Sequence, residues 1–267
     1  MTIPRLASVS AAFLISLSCN ALASSTPWVE MQGGRVRLVT AGATDTNGQL
    51  HGALEIELRP GWKTYWRDPG DAGVPPTIDV SASTNIKSAE LAFPAPERHH
   101  DGDFSWAGYA QSVRLPVAFE IADPSLPATV SAAVFLGVCE TICVPVSARF
   151  TIDPQSDPDN PDDTSIVSNA AAALPAPATE GFGLRTVETD KETLTAEAVL
   201  PAGAKISDVF IAADQGYYFQ APKISENDGR TLITMPVTKP HTRPSSGGLH
   251  YTLVTDQGAV SGILPFF

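Results

Sequence analysis

Residues 134–152, VFLGVCETICVPVSARFTI, decide the fold of the first half of the chain. Two runs rich in β-branched residues, 134–138 and 144–152, flank a short segment that begins at Cys139 and ends at Cys143. In the second run apolar side chains occupy every second position, a period that is typical of a half-buried strand. The stretch therefore predicts two neighbouring strands with one cysteine at the end of each.

The spacing of these cysteines limits how they can pair. Along an extended strand, residues four apart are separated by about 13 Å, whereas a disulfide needs Cα atoms within about 7 Å. If Cys139 and Cys143 are bonded, the chain must turn between them. Residues 140–142 would then form the loop of a hairpin, with the bridge at its neck and the sulfurs near the surface.

The first 23 residues have the pattern of a cleavable signal peptide. Arg5 carries a positive charge, residues 11–17 are apolar, and Ala21-Leu22-Ala23 has the small-residue pattern of a cleavage site. A lipoprotein site at Cys19 is disfavoured by the residues that precede it. We therefore expect a periplasmic protein that starts near Ser24 and keeps two of the three cysteines, in a compartment where they can pair.

Composition excludes several classes of function. The formal net charge is −12, and no run rich in Lys or Arg is present, so nucleic-acid binding is not expected. After the predicted cleavage site no stretch approaches the roughly 18 apolar residues of a membrane span, and we expect a soluble protein. Hydrolase and phosphate-binding motifs are absent, and neither a cofactor nor a metal site is assigned.

Short runs of β-branched and aromatic residues recur between turn signals, and long amphipathic helices are absent. The pattern predicts an all-β protein of two antiparallel β-sandwich domains. Beyond the cysteine hairpin, strands are predicted at 35–40, 52–58, 113–121, 194–200, 208–212, 217–220, 231–237 and 249–255.

A segment rich in proline and aspartate, residues 153–163, separates the two halves. It cannot bury apolar surface, which predicts a solvated, acidic connector. The alanine-rich segment 164–174 behind it suits a short helix capped by Asp162, Asp163 and Thr164. The predicted organisation is a signal peptide at 1–23, a first domain at 24–153, a linker with this helix at 154–180 and a second β-sandwich at 181–267.

The residues alone leave three interpretations of the cysteine pair open. As a structural staple in a non-catalytic binding or assembly module, a loop of about five residues contributes only roughly 2 kcal/mol in the chain-entropy model. A short disulfide at the end of a hairpin is better suited to reversible exchange, which needs an open path to a sulfur. Two thiolates together with His99 and His100 could instead bind Cu(I).

Four blocks of sequence resemble a known family. Over roughly residues 28–153 they are similar, in order, to the periplasmic N-terminal region of the DsbD/ScsB thiol:disulfide interchange proteins, which are disulfide reductases. The ScsB type, linked to suppression of copper sensitivity, is the closer match. The blocks are GWKTYWRDPGDAG at 61–73, FPAP at 93–96, 104–109 leading into LPV at 115–117, and VCETICVP at 138–145.

The resemblance implies an immunoglobulin-like fold and a role as a thiol-disulfide oxidoreductase. It implies that the pair accepts electrons from a membrane-embedded electron-transfer protein and passes them to thioredoxin-like periplasmic partners. Cys143 would form mixed disulfides and Cys139 would resolve them. Because the chain ends at Phe267 without a membrane conduit of its own, the electron donor is expected to be a separate protein.

The resemblance also implies a loop that shields the disulfide with an aromatic side chain, here at residues 99–109. Phe104 is the expected cap, with Trp106 and Tyr109 as alternatives. For the three aromatic residues of the first block, Trp62, Tyr65 and Trp66, ordinary packing is expected.

Overall fold

The computed structural model describes residues 24–70, 73–102, 104–189, 193–213, 217–238 and 248–265. The predicted signal peptide, residues 1–23, lies outside the described residues. Strands account for most of the described chain, together with one helix. No helix in these ranges has the length and apolar character needed to cross a bilayer.

The part of the chain before the helix forms two sheets, which we call the first sandwich. Its strands are β1 (Val29–Met31), β2 (Gly34–Ala41), β3 (Gln49–Leu58), β4 (Lys63–Gly70), β5 (Thr77–Asp79), β6 (Ile86–Leu91), β7 (Glu97–Asp101), β8 (Phe104–Tyr109), β9 (Val113–Ile121), β10 (Val130–Cys139) and β11 (Cys143–Ile152). One sheet has the order β1-β2-β3-β9-β6. The other has the order β11-β10-β4-β8-β7, with β5 beside β10.

The period of two in the sequence explains this packing. Every second residue of β9 from Leu115 to Ile121 is buried, and so is every second residue of β11 from Val146 to Ile152. The two strands belong to different sheets, and their inward side chains belong to one hydrophobic core. The predicted strand at 113–121 is confirmed with its bounds unchanged.

The part of the chain after the helix forms the second sandwich, which has a core of its own. Its strands are β12 (Ala176–Pro177), β13 (Gly183–Thr189), β14 (Thr193–Val199), β15 (Ile206–Ala212), β16 (Tyr218–Phe219), β17 (Lys223–Asn227), β18 (Arg230–Thr238), β19 (Gly248–Thr255) and β20 (Gly258–Pro265). The sheet orders are β12-β20-β19-β15 and β13-β14-β18-β16, with β17 beside β18. The predicted all-β class with antiparallel sandwiches is confirmed.

The helix α1 (Pro161–Ala172) begins three residues before the predicted position. Asn160 is the N-cap residue, and its side chain accepts hydrogen bonds from the backbone of Asp162 and Asp163. Proline fits the first position of a helix because its missing N–H has no partner there in any case. The predicted caps were therefore wrong, because the connector itself supplies the start of the helix.

The helix lies on the outer face of the first sandwich. Val167 and Ala170 pack against Val39 and Ala53 of its sheet. Asp163 is only 4% exposed, which corrects the prediction that the whole connector is solvated. A buried carboxylate needs a partner, and the hydroxyl of Ser24 donates a hydrogen bond of 2.5 Å to it.

This contact predicts a loss of stability in a Ser24→Ala variant. The substitution leaves the buried carboxylate of Asp163 without its hydroxyl donor, which costs about 1–3 kcal/mol. The free energy of unfolding, measured by urea titration, should fall by that amount. In the control variant Ser168→Ala, which alters an exposed serine of the same helix, it should change by less than about 0.5 kcal/mol. Equal effects of the two substitutions would contradict this account of helix docking.

Candidate redox site

A hairpin of β10 and β11 carries the two cysteines. The strands pair without interruption from Val130 and Ile152 to Cys139 and Cys143, which are the last pair before the turn. The two cysteines form a disulfide, and their Cα atoms are 4.2 Å apart. The hairpin predicted from the spacing, with the bridge at its neck, is confirmed.

The two cysteines differ in their exposure to solvent. Cys139 is 1% exposed, whereas Cys143 is exposed. Beside Cys143, at the tip of the turn, Ile142 is 76% exposed. A partner approaching from solvent therefore meets Cys143 and an apolar side chain first.

Sheet order is the cause of this asymmetry. β10 lies between β11 and β4, where Cys139 pairs with Lys63. The hydroxyl of Thr64 donates a 2.9 Å hydrogen bond to the carbonyl of Gly137, which adds a side-chain tie between β4 and β10. β11 is the edge of the sheet among the described residues. One cysteine is thus fixed inside the sheet and the other stands at its open side.

Tyr65 connects the disulfide to the next strand. Its hydroxyl lies 2.7 Å from Sγ of Cys139 and 3.1 Å from Sγ of Cys143. Because disulfide sulfurs carry no hydrogen, the single O–H of Tyr65 is the donor that the two contacts share. Tyr65 is 2% exposed. The sequence predicted only packing for this residue, and no periodic signal distinguishes it from Trp62 and Trp66, which lie in the main core.

Trp106 covers the buried side of the site. It forms a small cluster with Tyr65 and Cys139, separate from the main core. Its ring meets Tyr65 edge to face, with ring centroids 5.9 Å apart. The imidazole of His99 stacks on the Trp106 ring, with ring centroids 4.1 Å apart. The ammonium of Lys63 lies 4.5 Å from the centroid of the same ring. Of the two proposed cap residues whose side chains the structure describes, Trp106 is the one that lies against a cysteine.

The other two proposed cap residues lie differently. The backbone of Phe104 begins β8, and its side chain lies outside the described part of the chain. Tyr109 packs in the main core and donates a hydrogen bond of 2.9 Å to the carbonyl of Pro94. Burial raises the pKa of Tyr109 well above its ordinary value, so the phenol stays neutral.

The histidines considered for copper do not form a ligand set with the cysteines. His99 is stacked on Trp106 and lies 3.3 Å from the carboxylate of Glu97, while His100 is exposed. Across the ranges that the structure describes, no three His, Cys, Asp or Glu side chains are grouped so that they could hold a metal ion.

This geometry supports one kind of chemistry. Disulfide exchange requires a thiolate to reach a sulfur, and the other sulfur to leave as a thiolate. The exposed Cys143 can be reached from solvent, and the buried Cys139 has a hydroxyl donor that stabilises a negative sulfur. The pair has both requirements for reversible exchange.

Comparison with known proteins places this site in a segment that matches a protein family. The family model for the N-terminal part of the thiol:disulfide interchange protein DsbD matches residues 36–154, which include both cysteines. A search of curated protein sequences found no match.

One solved structure extends the similarity along the chain. The crystal structure of the N-terminal periplasmic domain of ScsB from Proteus mirabilis aligns with a TM-score of 0.67 and 21% identity, over 91% of this chain and 99% of that one. The reduced N-terminal domain of DsbD from Neisseria meningitidis aligns over 44% of this chain and 83% of that one, with 18% identity and a TM-score of 0.28. The first likeness shows a common fold for both sandwiches. Residues 36–154 therefore match the N-terminal region of the thiol:disulfide interchange protein DsbD, and the chain has the fold of the N-terminal periplasmic domain of ScsB.

Proposed function

We propose that the protein is a periplasmic thiol-disulfide oxidoreductase that relays reducing equivalents through Cys139 and Cys143. Its electrons come from a membrane-embedded electron-transfer protein, and its acceptors are thioredoxin-like periplasmic proteins. The observation that supports this most is the pairing of an exposed cysteine with a buried one whose sulfur has a hydroxyl donor. The predicted domain bounds and the cleavage near Ser24 are part of the proposal.

In the first step, the Cys143 thiolate attacks one sulfur of a partner disulfide. A bond forms between Sγ of Cys143 and that sulfur, the partner disulfide breaks, and its second sulfur leaves as a thiolate that takes up a proton. The product is a mixed disulfide between the two proteins. Cys143 is suited to this attack because it is exposed and begins the edge strand of the sheet.

In the second step, the Cys139 thiolate attacks Sγ of Cys143. The disulfide of this protein forms, the mixed disulfide breaks, and the partner leaves as a dithiol after it takes up a second proton. The partner gains two electrons, and this protein loses them. A dithiol of the membrane protein then returns the pair to the reduced state by the same exchange in reverse.

Tyr65 assists both the oxidation and the reduction of the cysteine pair by donating a hydrogen bond to sulfur. When the disulfide is attacked at Cys143, the bond to Cys139 breaks and charge develops on the buried sulfur. A hydrogen bond to a charged group stabilises it by about 1.5–3 kcal/mol. The hydroxyl at 2.7 Å from Sγ of Cys139 is already in place to donate this bond.

The trapping experiment for this proposal uses a Cys139→Ser variant. It keeps the exposed thiol and removes the sulfur that resolves the mixed disulfide, so complexes with thioredoxin-like proteins should accumulate in a periplasmic extract. These complexes should dissociate when a reductant is added. They should be absent with the double variant Cys139→Ser/Cys143→Ser. A correctly folded Cys139→Ser variant that accumulates no mixed disulfide would contradict the relay.

A further inference from the structure

The hairpin of β7 and β8, residues 97–109, is only partly attached to its own sheet. β8 pairs with β4 at Tyr109 and Gly108, and the register then breaks until Trp106 meets Gly70. β7 pairs with β8 alone among the described strands. The outer part of the hairpin therefore depends on contacts beyond the strand ladder for its position.

The second sandwich makes such a contact. Arg98 of β7 forms a two-pronged ion pair with Asp208 of β15, with Nε to Oδ2 at 2.9 Å and Nη2 to Oδ1 at 3.1 Å. Nη2 also donates a 2.9 Å hydrogen bond to the carbonyl of Val209. Paired planar groups of this kind fix orientation as well as distance.

The ion pair of Arg98 and Asp208 is largely shielded from solvent. The side chains of Arg98 and Asp208 are 22% and 23% exposed. The guanidinium lies 4.7 Å from the ring centroid of Phe210, and that ring lies 5.8 Å from the ring of Trp66 in the first sandwich. Phe210 belongs to the core of the first sandwich although it comes from the second. Limited exposure weakens screening of the charges by solvent.

A short series of contacts leads from this pair to the disulfide. Arg98 precedes His99, whose imidazole stacks on Trp106. Trp106 packs against Tyr65 and Cys139. A cavity of about 380 Å³ lies between the hairpin and the second sandwich, lined among others by Trp106 and Phe210. The hairpin therefore borders open space on the side that faces the second sandwich.

We propose that the second sandwich holds this hairpin in place over the disulfide, with Arg98 and Asp208 as positioning residues. We call this contact the latch. The closed ion pair holds Trp106 against Tyr65 and Cys139, and its opening uncovers Cys139, so that an attacking thiol is no longer limited to the approach from the Cys143 side. The inference deepens the proposed function, because it assigns the control of access to the same disulfide. Neither residue touches a sulfur.

The test compares rates of disulfide reduction by dithiothreitol. Asp208→Asn and Arg98→Lys both break the two-pronged pair and should accelerate reduction of the Cys139–Cys143 disulfide by roughly tenfold. Amide hydrogen exchange should rise within residues 97–109. The matched control Glu197→Gln breaks a similar pair with Arg230, whose contacts of 2.9 and 2.8 Å lie within the second sandwich, and it should leave both readouts unchanged.

Three outcomes would overturn the latch. The first is that Asp208→Asn and Arg98→Lys are both reduced at the same rate as the parent protein. Another is acceleration of equal size in the Glu197→Gln control, because it would indicate general loosening. The third is faster reduction with unchanged exchange in the hairpin. Since dithiothreitol replaces the biological partner, these results are separate from the trapping of mixed disulfides, and either proposal can fail while the other holds.

Discussion

A Cys143→Ser variant should lose disulfide exchange completely and still fold. The remaining thiol at Cys139 is 1% exposed, so a partner disulfide has no path to it. Loss of the five-residue bridge costs only about 2 kcal/mol in the chain-entropy model, and the hairpin keeps its ladder of strand pairs. The rate of mixed-disulfide formation with oxidised glutathione, measured by mass spectrometry, should fall to the level of the double serine variant.

The matched control for this prediction is Cys139→Ser. It loses the same bridge and the same stability but keeps the exposed sulfur, so it should form the glutathione adduct at Cys143. Comparable adduct formation by the two single variants would contradict the assignment of separate roles to the two cysteines.

The second large effect is expected for Tyr65→Phe. The substitution keeps the ring, its edge contact with Trp106 and the packing on Cys139, and removes only the hydroxyl that lies against both sulfurs. Since a hydrogen bond to a charged sulfur contributes about 1.5–3 kcal/mol, exchange should slow by roughly 10- to 150-fold. The rate of reduction by dithiothreitol gives the direct measurement.

The pH profile separates this role from packing. A hydrogen-bond donor to a thiolate lowers the pKa of that cysteine. Removal of the Tyr65 hydroxyl should therefore raise the pKa of the cysteine thiol. The pH at which the alkylation rate begins to rise should then be higher than in the parent protein. Tyr109→Phe is the control, because it removes the hydroxyl of another buried tyrosine, which donates to the carbonyl of Pro94 instead of to sulfur. If both variants keep the parental profile, Tyr65 has no part in tuning the sulfurs.

Much of the first sandwich could be predicted because its strands alternate. The apolar positions of β9 and β11 set both the strand bounds and the buried face. The hairpin followed from chain geometry, since two cysteines four positions apart cannot be bonded unless the chain turns between them. The exposure of Cys143 agrees with the role that the resemblance implies, and its part in exchange is still a proposal.

The contacts around the disulfide could not be predicted, because they join residues that are far apart in sequence. The hydroxyl of Tyr65 meets Cys139 across 74 residues, and Arg98 meets Asp208 across 110. Local pattern carries no information on such pairs, so Tyr65 had the same signature as its neighbours in the core. The buried Asp163 was missed for the same reason, since its partner is 139 residues away.

The central claim is that the disulfide of Cys139 and Cys143 is exchangeable and not a structural staple. An equilibrium titration of the oxidised protein against defined dithiothreitol redox buffers, followed by thiol alkylation, gives its reduction potential. Structural disulfides of exported proteins lie below about −300 mV. We predict a value above this limit, in the range of exchange proteins. A value below it would contradict the relay.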